Sequence, residues 1–166
     1  MDQDADGAVT ALYRTHYRPL VRLAALLVHD IDVAEELVQD SFVAMHSVWR
    51  RLADSDRALS YLYQAVVALS RSVLRHRTIT GKIPTELAPG MPAADPGAVT
   101  ELEHSAIVSA LRSLALRQRE VLVLQYYSDL TQAQTASAMR ISKRAVKSHT
   151  AQAMSSLRAE LHRTDR

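Results

Sequence analysis

The sequence predicts an all-α fold, with two helical domains joined by a flexible linker. Three observations carry it. Of four glycines, three (Gly81, Gly90, Gly97) fall between residues 81 and 97, and so do four of the five prolines (Pro84, Pro89, Pro92, Pro96). The flanking halves are rich in Ala, Leu, Arg, Gln and Glu, which lose little entropy in a helix. Their apolar residues recur near a 3.6-residue period rather than alternating. The expected division is residues 1–78, a linker at 79–98, and residues 99–166. A coil of about 20 residues spans roughly 25 Å on average and about 65 Å when extended, so each half can reach its own target.

In the first half, Val9, Leu12, Tyr13, Tyr17, Leu20, Leu23, Ala24 and Leu27 mark one apolar stripe, and Pro19 within it predicts a break or a kink. Asp32 is the expected cap of a second helix reaching about Arg51, with Glu35 and Glu36 in its favourable first turn. Ala34, Leu37, Val38, Ser41, Phe42, Met45, Val48 and Trp49 form its inner stripe, leaving Glu35, Glu36, Gln39 and Asp40 as an acidic, amide-bearing outer face. Residues 50–57 are turn-forming and expected to be a loop. A third long helix is expected from Ala58 to Arg77, with Arg71, Arg75 and Arg77 near its end, where they also suit the helix dipole.

In the second half, helices are expected at 99–114, with Leu102, Ala106, Ile107, Ala110, Leu111 and Leu114 inward, and at 117–127, with Val121, Leu122, Leu124 and Tyr126 inward. Thr131 then caps a short helix packed through Ala133, Ala136 and Met139. Ser142 caps the last one, buried through Val146, His149 or Thr150, Ala153, Leu157 and Leu161. Residues 117–161 thus read as a helix-turn-helix. That leaves Lys143, Arg144, Lys147, Ser148, Ala151 and Gln152 of its last helix facing outward. Cations at the positive end of a helix are unfavourable for the dipole, so their clustering points to an external anion such as a nucleic-acid phosphate.

Charge is sorted along the chain beneath a net +2. Residues 1–56 hold ten acids against five arginines, residues 57–85 hold five cations and no acid, and residues 99–166 hold ten cations against six acids. Two basic regions across a linker suggest two contacts with a polyanion. Without cysteine there is neither a disulfide framework nor a thiolate metal site, which fits a reducing cytoplasm. The acidic N-terminus lacks a secretion pattern and no apolar run approaches the ~20 residues of a membrane span, so a cytoplasmic protein without membrane insertion is expected. The seven histidines show no ligand spacing and there is no Gly-rich phosphate loop, so no catalytic residue, metal or cofactor is expected, and the chain reads as a non-enzyme.

With these residues in hand, the chain resembles the extracytoplasmic-function group of bacterial RNA polymerase sigma factors, of the actinobacterial sigma-E-like type. Leu20 to Val28, Glu35 to Trp49 and Ser60 to Arg77 are similar to the group's region 2, and Leu111 to His149 to its region 4. The resemblance implies a factor that binds core RNA polymerase and directs promoter-specific initiation through −10 and −35 contacts. It places Glu35, Glu36, Gln39, Asp40 and Phe42 on the clamp helices of the largest polymerase subunit, and region 4 on the flap of the second-largest. It places Arg50, Arg51, Asp54, Ser55, Asp56 and Arg57 around a base flipped from the −10 element, and Arg71, Arg75 and Arg77 on −10 phosphates. Ser142, Lys143, Arg144, Lys147, Ser148 and Gln152 fall on the −35 major groove, and the linker on the polymerase cleft. Group members are often held by an anti-sigma factor that clamps both halves, which adds such a protein to the expected partners of polymerase and promoter DNA.

The chain departs from the group's pattern at Arg140 and Ala115, where Gly and Pro are common, and at Ala68 and Val73, where Asn and Arg are common. Gln152 and Met154 stand at frequent arginine positions. Two alternatives stay open: a stand-alone LuxR-like helix-turn-helix regulator, and a degenerate sigma factor acting as an adaptor that melts no DNA.

Overall fold

The computed structural model describes residues 2–52, 54–80 and 101–165, and among them every regular element is helical. The linker expected at 79–98 lies outside the described residues except for its first two, which end a helix. The first half comprises α1 (Asp2–Val28), α2 (Ile31–Ser47), α3 (Trp49–Leu52) and α4 (Ser55–Thr80). The second comprises α5 (Glu101–Ser113), α6 (Leu116–Leu122), a π-helical turn over Val123–Tyr127, α7 (Gln132–Met139) and α8 (Lys143–Thr164).

The break at Pro19 does not occur: α1 runs through it without interruption. A proline inside a helix costs about 3 kcal/mol. Just beyond it Leu20, Leu23, Ala24, Leu27 and Val28 are almost fully buried, and each buried leucine contributes roughly 1.5–3 kcal/mol, so packing outweighs the lost backbone bond. The α2 cap is Asp30 rather than Asp32, its carboxylate accepting the Val33 N–H at 3.2 Å. The expected loop at 50–57 is mostly helical. The short α3 holds Arg50 and Arg51, and the Asp54 carboxylate accepts the Asp56 N–H at 2.8 Å, which starts α4 at Ser55, three residues before Ala58. An aspartate at that point satisfies an otherwise orphaned N–H, so the helix begins as soon as the chain reaches it.

In the second half, the π turn changes the buried face. Val123 and Leu124 go inward while Tyr126, expected inside, is 66% exposed. One wide turn rotates every later side chain relative to an α-helical count. Ile107 and Ala133 also face outward, against expectation, and Thr135 and Ala138 take buried places on α7 instead. Thr131 caps α7 as expected, in a reciprocal box with Gln134.

The two halves pack against each other: α4 lies along α7, and α1 meets α5, α6 and the π turn. Charged groups cross this contact. Arg71 of α4 donates to the carboxylate of Glu120 on α6 through Nε and Nη2, both at 2.9 Å, and to the Met139 carbonyl at 3.3 Å. Arg117 donates to the same carboxylate at 2.9 Å, and Glu120 is completely buried. Arg119, also buried, donates to the Leu27 carbonyl at 3.0 Å, capping the C-terminal end of α1.

The turn after α1 carries His29 in the left-handed region, at φ 59°, with both ring nitrogens buried and unpartnered. Burial, with Arg119, Arg112 and Arg77 nearby, pushes its pKa down to about 3. His29 is therefore neutral when folded and charged more readily when unfolded. Its contribution is fully present above about pH 6.5 and is lost as pH falls from there towards 3. We expect the urea unfolding free energy to drop by about 2 kcal/mol between pH 7.5 and pH 5 on this account. His29→Asn, which tolerates positive φ, removes that slope; an equal slope in the variant would assign the effect to other groups.

Candidate nucleic-acid and polymerase interfaces

Three surfaces collect the residues singled out by the sequence. On α8, Ser142 caps the helix, its hydroxyl accepting the Ala145 N–H at 3.0 Å. Val146 and Ala153 are buried, which fixes the rotation of the helix. Ser142, Lys143, Arg144, Lys147, Ser148 and Gln152 consequently share one exposed face. The preceding turn is made by Arg140, left-handed at φ 57°, whose N–H reaches back towards the Ser137 carbonyl while the Ile141 N–H bonds that of Ala136 at 3.0 Å. The wrapped α-helical end occurs without glycine. Gln125, on the π turn, steadies α8 by donating to Thr150 Oγ1 at 2.8 Å.

On α2, Glu35, Glu36, Gln39 and Asp40 are exposed in one strip. Phe42, grouped with them by resemblance, is buried instead and meets Tyr13 edge-on at 5.1 Å, while Tyr13 stacks on Tyr17 at 4.6 Å. Phe42 thus supports the acidic strip from beneath and does not reach its surface.

The third surface lies around the start of α4. Arg50, Arg51, Asp54, Ser55, Asp56 and Arg57 are all exposed. Beside them Leu52, Asp56, Arg57, Ser60, Tyr61 and Gln64 line a hollow of about 350 Å³. Tyr61 and Gln64 were not singled out in the sequence; their spacing from Arg57, at i+4 and i+7, puts them on the same helical face, and that was the available signal. Of the three arginines further along α4, only Arg75 is exposed. Arg71 is engaged by Glu120, and Arg77 by the Val28 carbonyl and by Asp30 at 3.7 Å. Among the described residues no group of His, Asp and Glu could hold a metal ion, and no helix is long and apolar enough to cross a membrane.

Comparison with known proteins joins these surfaces. Residues 12–79 match the model of sigma-70 region 2, and residues 104–157 that of sigma-70 region 4. The chain is 30% identical over 152 residues to the RNA polymerase sigma-E factor of Streptomyces avermitilis, covering 92% of this chain and 84% of that one. This chain belongs to the sigma-70 family of RNA polymerase sigma factors. It is also similar to the RNA polymerase sigma-E factor of Streptomyces coelicolor, 30% identical over 148 residues, 89% of this chain and 82% of the relative. The fold of this sigma factor is shared by the sigma factor RpoE of Bartonella quintana, solved with the anti-sigma factor NepR, at a TM-score of 0.75 and 21% identity, covering 95% and 98% of the two chains. As a sigma factor, it directs transcription initiation.

Proposed function

We propose that residues 1–78 form the half that docks on core polymerase and opens the −10 element, and residues 99–166 the half that reads the −35 element. The observation that carries this reading is the exposed α8 face, with Lys143, Arg144 and Lys147 at the helix end that least favours them. Their position is costly for the helix alone and favourable once a phosphate approaches. Ser142, Ser148 and Gln152 extend the face with neutral donors and acceptors suited to base edges and backbone.

The exposed strip of Glu35, Glu36, Gln39 and Asp40 is the polymerase-docking surface, with Phe42 and Tyr13 holding its helix in place. Region 4 takes the flap of the second-largest polymerase subunit as its own contact. Asp40→Ala is expected to weaken association with core polymerase several-fold, because a rim charge acts through steering and pairing, and to leave −35 DNA binding unchanged. Surface plasmon resonance against core enzyme checks it; equal loss on both ligands would point to misfolding.

The hollow beside Arg57 and Tyr61 is the site for a flipped −10 base, between an aromatic ring and donors on one rigid helix. Arg50, Arg51, Asp54, Ser55 and Asp56 frame it, and Arg71, Arg75 and Arg77 supply phosphate contacts along α4. In the arrangement described, Arg71 is held by Glu120 and Met139 of the second half, so its promoter contact requires the halves to part, whereas Arg77 is held within its own half by Val28 and Asp30. No catalysis is assigned to the chain, and its place of action is the cytoplasm. An anti-sigma factor is a further partner, as NepR is of the Bartonella RpoE.

A further inference from the structure

Closing the two halves builds a cleft that neither half has alone. It measures about 980 Å³ and is lined by Arg71, Arg75 and Arg77 from α4 and by Arg117, Arg119 and Arg140 from the second half. Glu120, between Arg71 and Arg117, and Asp30, beside Arg77, offset two of these six charges, which leaves four. Arg75 and Arg140 are exposed and have no ion pair among the described residues. Val67, Leu74 and Leu116 add apolar surface to the lining.

Bringing guanidinium groups of one sign together opposes closure, the more so in a recess where the field is focused. A bound anion reverses that balance. It must carry several charges to answer four cations, be small enough for the recess, and offer planar-fork acceptors, which phosphate oxygens do. We infer that the arginine-lined cleft is a binding site for a small, multiply charged phosphate chain, and that its occupant holds the closed arrangement. An anion that binds only the closed state shifts the population towards it and competes with promoter DNA. This regulatory consequence rests on the sigma-factor reading of Arg71, Arg75 and Arg77; the binding site itself does not.

The absence of cysteine makes the test clean. Full-length protein carrying Ser72→Cys and Ser155→Cys, both exposed, one on each half, is labelled with a donor and an acceptor dye. Sodium tripolyphosphate and ATP are titrated separately at constant ionic strength, without polymerase or DNA. The expected result is saturable binding of one anion per chain by calorimetry, accompanied by a rise in energy transfer. Arg75→Gln with Arg140→Gly weakens it by about tenfold or more, the second change suiting the left-handed turn. The triple change Lys143→Ala, Arg144→Ala, Lys147→Ala leaves it intact. Tighter binding of ATP assigns a nucleotide, with its base on the apolar wall; equal or tighter binding of tripolyphosphate assigns the inorganic chain; either result supports the site. Failure to saturate, an unchanged affinity in the Arg75/Arg140 variant, loss in the α8 variant, or the same response to sulfate overturns it. Because no promoter is present, loss of transcription activity in a separate assay bears on the sigma reading and not on this one.

Discussion

Replacing Glu120 with alanine destabilises the folded chain by about 3–5 kcal/mol, the range expected when one partner of a buried charge cluster is removed. Its carboxylate is fully enclosed and accepts three donors at 2.9 Å, two from Arg71 and one from Arg117. Truncation leaves the Arg71 and Arg117 guanidiniums without the carboxylate between them. Arg71→Ala removes only the partner from the other half and costs less, since Arg117 still answers Glu120. A double-mutant cycle between the two therefore gives a coupling of about 1–3 kcal/mol by urea denaturation. Coupling near zero would mean that the halves do not meet through this pair in solution.

The second large effect falls on DNA. The triple change Lys143→Ala, Arg144→Ala, Lys147→Ala weakens binding to a −35 duplex roughly 100-fold at moderate salt, and lowers the slope of log affinity against log salt by about 3. Its effect on stability has the opposite sign or none, because three cations leave the positive end of α8. Fluorescence anisotropy across a salt series, with thermal melting of the same sample, separates the two. A variant that melts earlier and binds with an unchanged salt slope would show that these side chains serve the fold.

The α8 face was legible in the sequence because a capping hydroxyl and two strongly buried positions, Val146 and Ala153, fix which way the rest of the helix points. The acidic strip of α2 was legible for the same reason, down to the burial of Phe42 in the helix's inner stripe. The π turn was not. Val121 to Tyr127 is apolar almost throughout, so its periodicity cannot reveal an inserted residue, and Tyr126 was placed inside when it faces out. The start of α4 was misplaced because Asp54 reads equally well as a turn residue and as a cap. Least legible was the contact between the halves. Glu120 lies 49 residues from Arg71, and a lone glutamate between arginines on a short helix looks like a solvated charge. His29 carries no signal of its own in the sequence; burial, and then the packing of Arg119, Arg112 and Arg77 around it, make it a neutral group.

The central claim is that this chain brings core polymerase to a promoter and opens it. Permanganate reactivity of unpaired thymines, measured with purified chain, core enzyme and a promoter selected from genomic DNA by the complex itself, tests that claim most directly. The account predicts reactive thymines at the −10 element that require both the chain and core enzyme, and that vanish with Tyr61→Ala although the complex still binds. Stable complexes with no reactive thymine on any selected promoter would contradict it and leave an adaptor that melts no DNA.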